Sequence, residues 1–205
     1  MDPRPLVVHR LDRDTSGALV LAKDLDAARD LTEQFEERRV AKSYLALCLG
    51  APHPASGEVE FVVAEDPKRR GRMEIVPRRG RPCASAWETV EVFRGLSLVR
   101  VRPLTGRTHQ VRLTLLHLGT PCAIDPLYGS EAPIHLSQFK SDYRLGRWKV
   151  EAPLIDRLTL HAESLAFRSP AAEPSAAPVR VEAPLPRDLA TTLRQLRKWA
   201  APGSL

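Results

Sequence analysis

The spacing of hydrophobic residues changes along the chain and predicts both strands and helices. Short apolar runs at 6–8 and 18–22 flank a polar turn, a pattern that indicates two strands around a loop. From Asp24, a potential N-cap, apolar residues recur every three or four positions as far as residue 35, which predicts an amphipathic helix. Period two returns at 41–50, so we expect a strand there.

That strand has two different faces. Leu45, Leu47 and Leu49 share one side, so Tyr44 projects from the other. Later in the chain we predict strands at 87–93, 96–102, 157–162 and 178–185, and helices at 108–118 and 187–199. Together these elements predict a mixed α/β fold (an α+β arrangement) with a largely antiparallel central sheet flanked by helices, and a single domain over residues 1–205.

Composition restricts the class of protein. Of the 205 residues, 43% are hydrophobic and 27% are charged, which is enough apolar material for a folded core. We expect no membrane span, because no run approaches about 18 apolar residues, and the first residues lack the features of a signal peptide. The three cysteines, Cys48, Cys83 and Cys122, form no CxxC pair, so we expect reduced thiols in a cytoplasmic protein.

The formal net charge of +6 is concentrated in one segment, residues 68–81. Its basic residues are Lys68, Arg69, Arg70, Arg72, Arg78, Arg79 and Arg81, with Glu74 as the counter-charge. Such a surface suits the phosphates of a nucleic acid, and the planar guanidinium of arginine binds phosphate through two parallel hydrogen bonds. The alternative is a solvated loop with no ligand.

Familiar catalytic motifs are missing from the sequence. It contains no GxxxxGK[ST], GxGxxG, HExxH or GxSxG string, and its six histidines do not fall at metal-ligand spacings. We therefore expect a site without metal or cofactor, and structural or surface roles for the histidines.

Two polar turns join carboxylate to guanidinium. In HRLDRDTSG, Asp12 is flanked by Arg10 and Arg13, and in LTGRTHQVR, Arg107 directly follows Gly106. A nearby arginine keeps an aspartate ionised and oriented, as a catalytic carboxylate requires. A capping aspartate beside two solvated arginines fits the same residues.

Five blocks in order resemble the RluA-type pseudouridine synthases: HRLDRDTSG, KSYLAL, LTGRTHQVRL, GTPCAIDPLYG and RLTLHA. That family isomerises uridine within RNA to pseudouridine, without cofactor or metal. The resemblance implies that Asp12 is the essential carboxylate, acting as nucleophile or base, and that Tyr44 stacks on the target uracil. It also implies that Arg107 pairs with the catalytic carboxylate.

The resemblance implies a wider substrate surface as well. Arg10 is expected to enter the RNA stack that the uridine leaves, and Arg157 and Leu158 to line the uracil pocket. Arg13, Lys42 and the basic residues of 68–81 are expected to contact RNA. Asp14 lies two positions after the essential carboxylate, and we expect it to be dispensable.

Alternatives stay open at this point. Family members usually carry some fifty or more residues before HRLD, which begins here at residue 9, so we expect a sheet edge and part of the RNA surface to be missing. A non-catalytic RNA-binding module and an aspartate-dependent nucleoside hydrolase are the rival hypotheses. RNA is the expected partner, with neither DNA nor membrane, and the oligomeric state is open.

Overall fold

The computed structural model describes residues 4–146, 150–173 and 175–202. Its α-helices are α1 (Leu25–Glu36), α2 (Gln110–His117) and α3 (Arg187–Trp199). Its strands are β1 (Leu6–Val7), β2 (Ser16–Gly17), β3 (Leu21–Ala22), β4 (Ala41–Leu49), β5 (Ser56–Glu65), β6 (Met73–Val76), β7 (Arg81–Phe93), β8 (Leu96–Pro103), β9 (Leu160–Phe167) and β10 (Val179–Glu182).

One large sheet organises the described residues. Its strands lie in the order β10, β9, β4, β8, β7, β5 and β6, and β2 pairs with β9 off this path. All of these pairs are antiparallel except β2–β9, which is parallel. The separate pair β1–β3 carries the HRLD turn between its strands. The predicted mixed fold with a largely antiparallel sheet and flanking helices is confirmed.

Strand β4 lies inside the sheet, with apolar residues packed on both of its faces. Leu45 and Leu47 join a core cluster with the apolar face of α3. Tyr44 packs against a second cluster that includes Val111 and Leu115 of α2. Because alternate side chains of a strand point to opposite faces, α3 and α2 cover opposite sides of the sheet. The predicted separation of Tyr44 from the leucines is confirmed.

Both helices next to the candidate turns begin and end close to the predicted positions. The Asp24 carboxylate accepts a hydrogen bond of 2.8 Å from the Ala27 amide at the start of α1, as an N-cap does. Gly119, just after α2, has a φ of 73°, the left-handed conformation expected of the stop residue. The closing helix α3 has the predicted bounds.

The basic segment differs most from expectation. We predicted no strand between residues 50 and 86, whereas β5 and β6 pair there and β7 already begins at Arg81. Residues 68–81 therefore form two turns at the ends of β6 rather than one loop. Strand β9 also lies further along the chain than the predicted 157–162. The segment 134–153, for which we predicted no element, holds a short 3-10 turn (Leu136–Gln138), and residues 147–149 lie outside the described residues.

Candidate active site

A cleft of about 550 Å³ opens where the HRLD turn, β4, β9 and the segment entering α2 meet. Its lining includes His9, Arg10 and Asp12 from the turn, Lys42 and Tyr44 from β4, Arg107 and His109 before α2, and Leu160 from β9. The cleft therefore brings together the two polar turns and the tyrosine that the sequence singled out.

Asp12 is held within a tight turn, in which the Thr15 amide donates to the Asp12 carbonyl oxygen over 3.0 Å. Its side chain is 22% exposed, and its Oδ2 atom lies 3.6 Å from Nη1 of Arg112 in α2. That distance makes an ion pair without a short hydrogen bond. The carboxylate is thus electrostatically held while its lone pairs stay available to a substrate.

Arg112 is anchored from behind by Asp125. Nε and Nη2 of the guanidinium donate to the two carboxylate oxygens of Asp125 over 2.8 and 2.5 Å, and both side chains are buried. Burial works to lower the pKa of Arg112, but the hydrogen bonds and charge of Asp125, with the charge of Asp12, raise it overall. Arg112 is therefore a permanent cation, and its orientation is set by a bidentate contact.

The predicted pairing of Arg107 with the carboxylate is wrong. Arg107 lines the cleft, but its Nε donates to the Pro82 carbonyl oxygen over 3.1 Å. Arg107 precedes α2 and reaches the start of β7, whereas Arg112 lies inside the helix and faces the interior. Both arginines occur in the block LTGRTHQVRL, so the sequence identified the correct block but the wrong arginine within it.

Tyr44 reaches the cleft from a point where β4 shifts register against β9, between Ser43 and Tyr44. Such bulges redirect a side chain and are frequent beside active sites. Burial, reinforced by the negative charge of Asp12, raises the pKa of Tyr44 to about 12. The ring therefore remains a neutral phenol at physiological pH.

His9 and Lys42 form one wall of the cleft. The His9 ring stacks on Phe35 of α1 with centroids 4.5 Å apart, and its Nε2 accepts a hydrogen bond of 3.0 Å from the Val20 amide. Burial, and then the charge of Lys42, lower the pKa of His9 to about 4. Burial also lowers the pKa of Lys42. His9 is thus a neutral structural wall rather than an acid or base at neutral pH.

Arg157 and Leu158 lie outside the cleft, contrary to their predicted place in a uracil pocket. Arg157 makes a bidentate ion pair with Asp188 at the start of α3, over 2.6 and 2.9 Å. It also donates to the Asp14 carbonyl oxygen, so it ties the HRLD turn to α3. Leu158 is buried in the core, and Leu160, two residues later in β9, lines the cleft instead.

The other predicted RNA contacts divide by exposure. Arg10 and Arg13 are exposed, and so are Lys68, Arg69, Arg70, Arg78, Arg79 and Arg81 at the two ends of β6. Arg72 is the exception, because its guanidinium pairs with buried Asp66 over 2.7 Å and donates to the Leu127 carbonyl oxygen. The expectation that Arg72 belongs to a solvated phosphate-binding surface is therefore corrected.

Neither a metal cluster nor a membrane helix is found within the described ranges. No group of three or more His, Cys, Asp or Glu side chains there is placed to hold a metal ion. Among the same residues, no helix combines the length and the hydrophobicity that crossing a bilayer requires.

Comparison with known proteins supports the family resemblance. The family model described as RNA pseudouridylate synthase matches residues 2–117. An "Uncharacterized RNA pseudouridine synthase" of Chloroflexus aurantiacus is 40% identical over 199 residues, which cover 97% of this chain and 55% of that protein. A "Ribosomal large subunit pseudouridine synthase D" of Nitrosomonas europaea is 37% identical over 195 residues, covering 95% of this chain and 52% of the relative.

Solved structures show the same architecture. The human protein titled RNA Pseudouridylate Synthase Domain Containing 1 superposes with a TM-score of 0.69 at 27% identity, covering 98% of this chain and 83% of that one. The chain spans about half the length of the curated relatives it matches. Since the family model matches residues 2–117, which are more than half of the chain, the chain belongs to the RNA pseudouridylate synthase family.

Proposed function

We propose that this chain isomerises uridine in RNA to pseudouridine, and that residues 1–205 act as one catalytic domain. The observation that carries the proposal is the Asp12 carboxylate, which lies in the cleft 3.6 Å from buried Arg112 and shares that cleft with Tyr44. The reaction cuts the bond from N1 of uracil to C1′, turns the base, and joins C5 to C1′. The proton on C5 is then released to water, and N1 takes up a proton, so that substrate and product are isomers.

Asp12 acts on the nucleoside as nucleophile or base. Both roles need an ionised carboxylate with a free lone pair, and a carboxylate fully engaged in short hydrogen bonds is poor at either. The bidentate bond of Arg112 goes to Asp125, and Asp12 receives the longer contact. This division of contacts supports Asp12 as the reactive member of the pair.

Tyr44 stacks on the target uracil in this proposal. Base–aromatic stacking contributes about 1–3 kcal/mol per base. Its raised pKa, about 12, favours a neutral stacking ring over a phenolate base. Leu160, rather than the predicted Leu158, supplies the apolar contact from β9.

The uridine must leave its RNA stack, because the glycosidic carbon is inaccessible inside a helix. Exposed Arg10 lies at the edge of the cleft and is positioned to fill the vacated space. Flipping costs a few kcal/mol and costs least in single strands, so a loop or bulge is the proposed target. Arg13, Lys42, Arg107 and the exposed basic residues beside β6 contact the phosphates, which position the RNA without reading its sequence.

Ribosomal RNA of the large subunit is the first substrate to test, since the Nitrosomonas relative is named for it. Transfer RNA is the second. We propose that the protein acts in the cytoplasm, where both RNAs occur and where its three buried cysteines stay reduced.

Tritium release tests the proposal directly. RNA carrying ³H at uracil C5 is incubated with the wild-type protein, with Asp12→Asn and with Asp14→Asn. We expect release by the wild type and a loss of at least about 10³-fold in Asp12→Asn. Asp14 is exposed, with a φ of 70° that asparagine adopts readily, so Asp14→Asn is the matched control and should stay near wild type.

The result separates the rival hypotheses. RNA binding without release of tritium by the wild type would favour the non-catalytic module. Formation of free labelled uracil from uridine, with no tritium released because hydrolysis leaves the C5–H bond intact, would favour a nucleoside hydrolase. Undiminished release by a folded Asp12→Asn protein would remove Asp12 from the mechanism.

A further inference from the structure

His109 lines the cleft but has no role in the proposed mechanism. It stands directly before α2 with a φ of 56°, a left-handed backbone conformation that residues with a side chain rarely adopt, and its side chain makes no capping bond. Unfavourable backbone conformations of this kind cluster at functional sites. Contacts other than a helix-capping hydrogen bond therefore hold the imidazole in the cleft.

Its partner is Tyr128, whose hydroxyl lies 2.8 Å from Nδ1 of His109. The same hydroxyl oxygen accepts a hydrogen bond of 2.8 Å from the Met73 amide. Burial raises the pKa of Tyr128, so the hydroxyl keeps its proton. Among the described residues, Nδ1 of His109 is the acceptor within reach of that proton. Nδ1 therefore accepts and carries no proton.

The ring is also neutral. Burial lowers the pKa of His109, although the negative charge of Asp12 acts in the opposite direction. A neutral imidazole that accepts at Nδ1 carries its one N–H at Nε2. No hydrogen-bond partner for Nε2 occurs among the described side chains, so this donor is free for a ligand in the cleft.

We infer that His109 contacts the substrate, donating its Nε2 hydrogen to a carbonyl oxygen of the target uracil. The inference rests on the proposed function. When the N1–C1′ bond breaks, its electron pair stays on the uracil and spreads over the carbonyl oxygens. A preoriented donor stabilises that developing charge. Because the ring is neutral, it does so without adding a second cation beside Asp12.

Two substitutions at this position place an amide at different ends of the missing ring. In His109→Asn the amide falls near Nδ1, keeps a bond to Tyr128 and suits the left-handed backbone. In His109→Gln the amide reaches the position of Nε2 and supplies a donor there. We expect kcat for tritium release to fall about 10²-fold in His109→Asn, and His109→Gln to recover most of it. Thermal unfolding checks that both variants fold.

A purely structural role for His109 predicts the opposite order of activities, with His109→Asn near wild type and His109→Gln impaired. That order would overturn the inference and leave the proposed function intact. A wild-type protein that releases no tritium overturns the proposed function first, and the uracil contact with it. ¹⁵N NMR of the resting protein reports the imidazole without any turnover. We expect a protonated Nε2 and a bare Nδ1 at pH 7, and the reverse tautomer would refute the assignment.

Discussion

Arg112 carries one positive charge between two carboxylates, and the distances show how that charge is divided. Asp125 takes the bidentate bond of 2.8 and 2.5 Å, and Asp12 lies at 3.6 Å. Asp125 therefore orients the guanidinium, while Asp12 interacts with its positive charge over a longer distance. A buried ion pair that loses one partner leaves an uncompensated charge, which typically costs about 3–5 kcal/mol. Arg112 thus contributes to the stability of the protein and holds the carboxylate that we propose to be reactive.

The two arginines of one sequence block should behave differently when replaced. We expect Arg112→Ala to lose at least about 10²-fold in kcat and about 3–5 kcal/mol of unfolding free energy. Arg107→Ala should raise KM for RNA and leave kcat within about threefold, because its guanidinium binds the Pro82 carbonyl rather than Asp12. Steady-state kinetics and urea denaturation measure both effects. A large kcat loss in Arg107→Ala with none in Arg112→Ala would reverse the assignment.

His9 makes stability depend on pH. Its pKa lies near 4 in the folded protein against 6.5 unfolded, so between these values the unfolded state binds more protons. Stability therefore falls as pH drops from 6.5 towards 4. Between pH 6.5 and pH 4, we expect the free energy of unfolding to fall by roughly 1–2 kcal/mol less in His9→Gln than in the wild type, after allowance for solvent screening. Urea denaturation at pH 7 and pH 4.5 gives the comparison, and equal losses in the two proteins would contradict it.

The predictability of the site differs from residue to residue. Asp12 and Tyr44 were placed correctly in one cleft because each lies in a distinctive block, on a turn or an alternating strand. Arg112 was missed, since nothing in LTGRTHQVRL says which arginine faces inwards until the start of α2 is known. Arg72 was misjudged because two of its contacts, the Tyr128 ring and the Leu127 carbonyl, are distant in sequence.

At the level of elements, the short parallel pair β2–β9 fixes the HRLD turn to the sheet. Gly17 has a φ of 125°, and a Cβ added there would lie 2.2 Å from the Ala162 carbonyl oxygen. The Ala18 amide donates to the same oxygen over 2.9 Å. Only glycine lets the turn approach β9 this closely, so the position of Asp12 depends on a residue that has no side chain.

We expect Gly17→Ala to destabilise the protein by at least about 3 kcal/mol and to reduce tritium release, because the clash is with backbone that cannot move aside. Gly95→Ala is the matched control: it also has a positive φ, of 76°, but nothing lies within 4 Å of the position that its new methyl group would occupy. That change should cost only about 1–2 kcal/mol. Thermal unfolding measures both, and similar losses would show that close approach to β9 is unimportant.

The missed strands β5 and β6 have a physical explanation. Val59, Phe61 and Val63 share one face of β5, and Glu58 and Glu60 lie on the other, which is a strand pattern, but the basic run that follows β5 is typical of a solvated loop. The hairpin forms because β5 pairs with β7 along one side and with β6 along the other. Pairing between distant segments is information that local spacing does not contain.

For the molecule as a whole, the net charge of +6 and the exposed basic turns are the features that we propose to govern association with RNA. We expect replacement of Lys68, Arg69 and Arg70 by Gln to weaken RNA binding. The slope of log K against log salt concentration should become shallower by up to about 2. Turnover at saturating RNA should be unchanged. Fluorescence titrations across a series of KCl concentrations are a suitable measurement.

Arg72→Gln is the control for that experiment. Its side chain is bound to Asp66, so this change should lower thermal stability and leave the salt dependence close to wild type. If the triple variant kept the full salt dependence, the turn between β5 and β6 would not contact RNA.

The register shift between Ser43 and Tyr44 means that the side of the sheet on which Tyr44 lies depends on the number of residues before it in β4. A change of length that moved β4 by one residue against β8 and β9 would turn each of its side chains to the other side of the sheet. A leucine would then face the cleft, and the tyrosine would lie on the side that packs against α3. Length changes at this site are therefore far more damaging than they are in surface turns, and a library of single-residue deletions should show a sharp gap in function at residues 41–44.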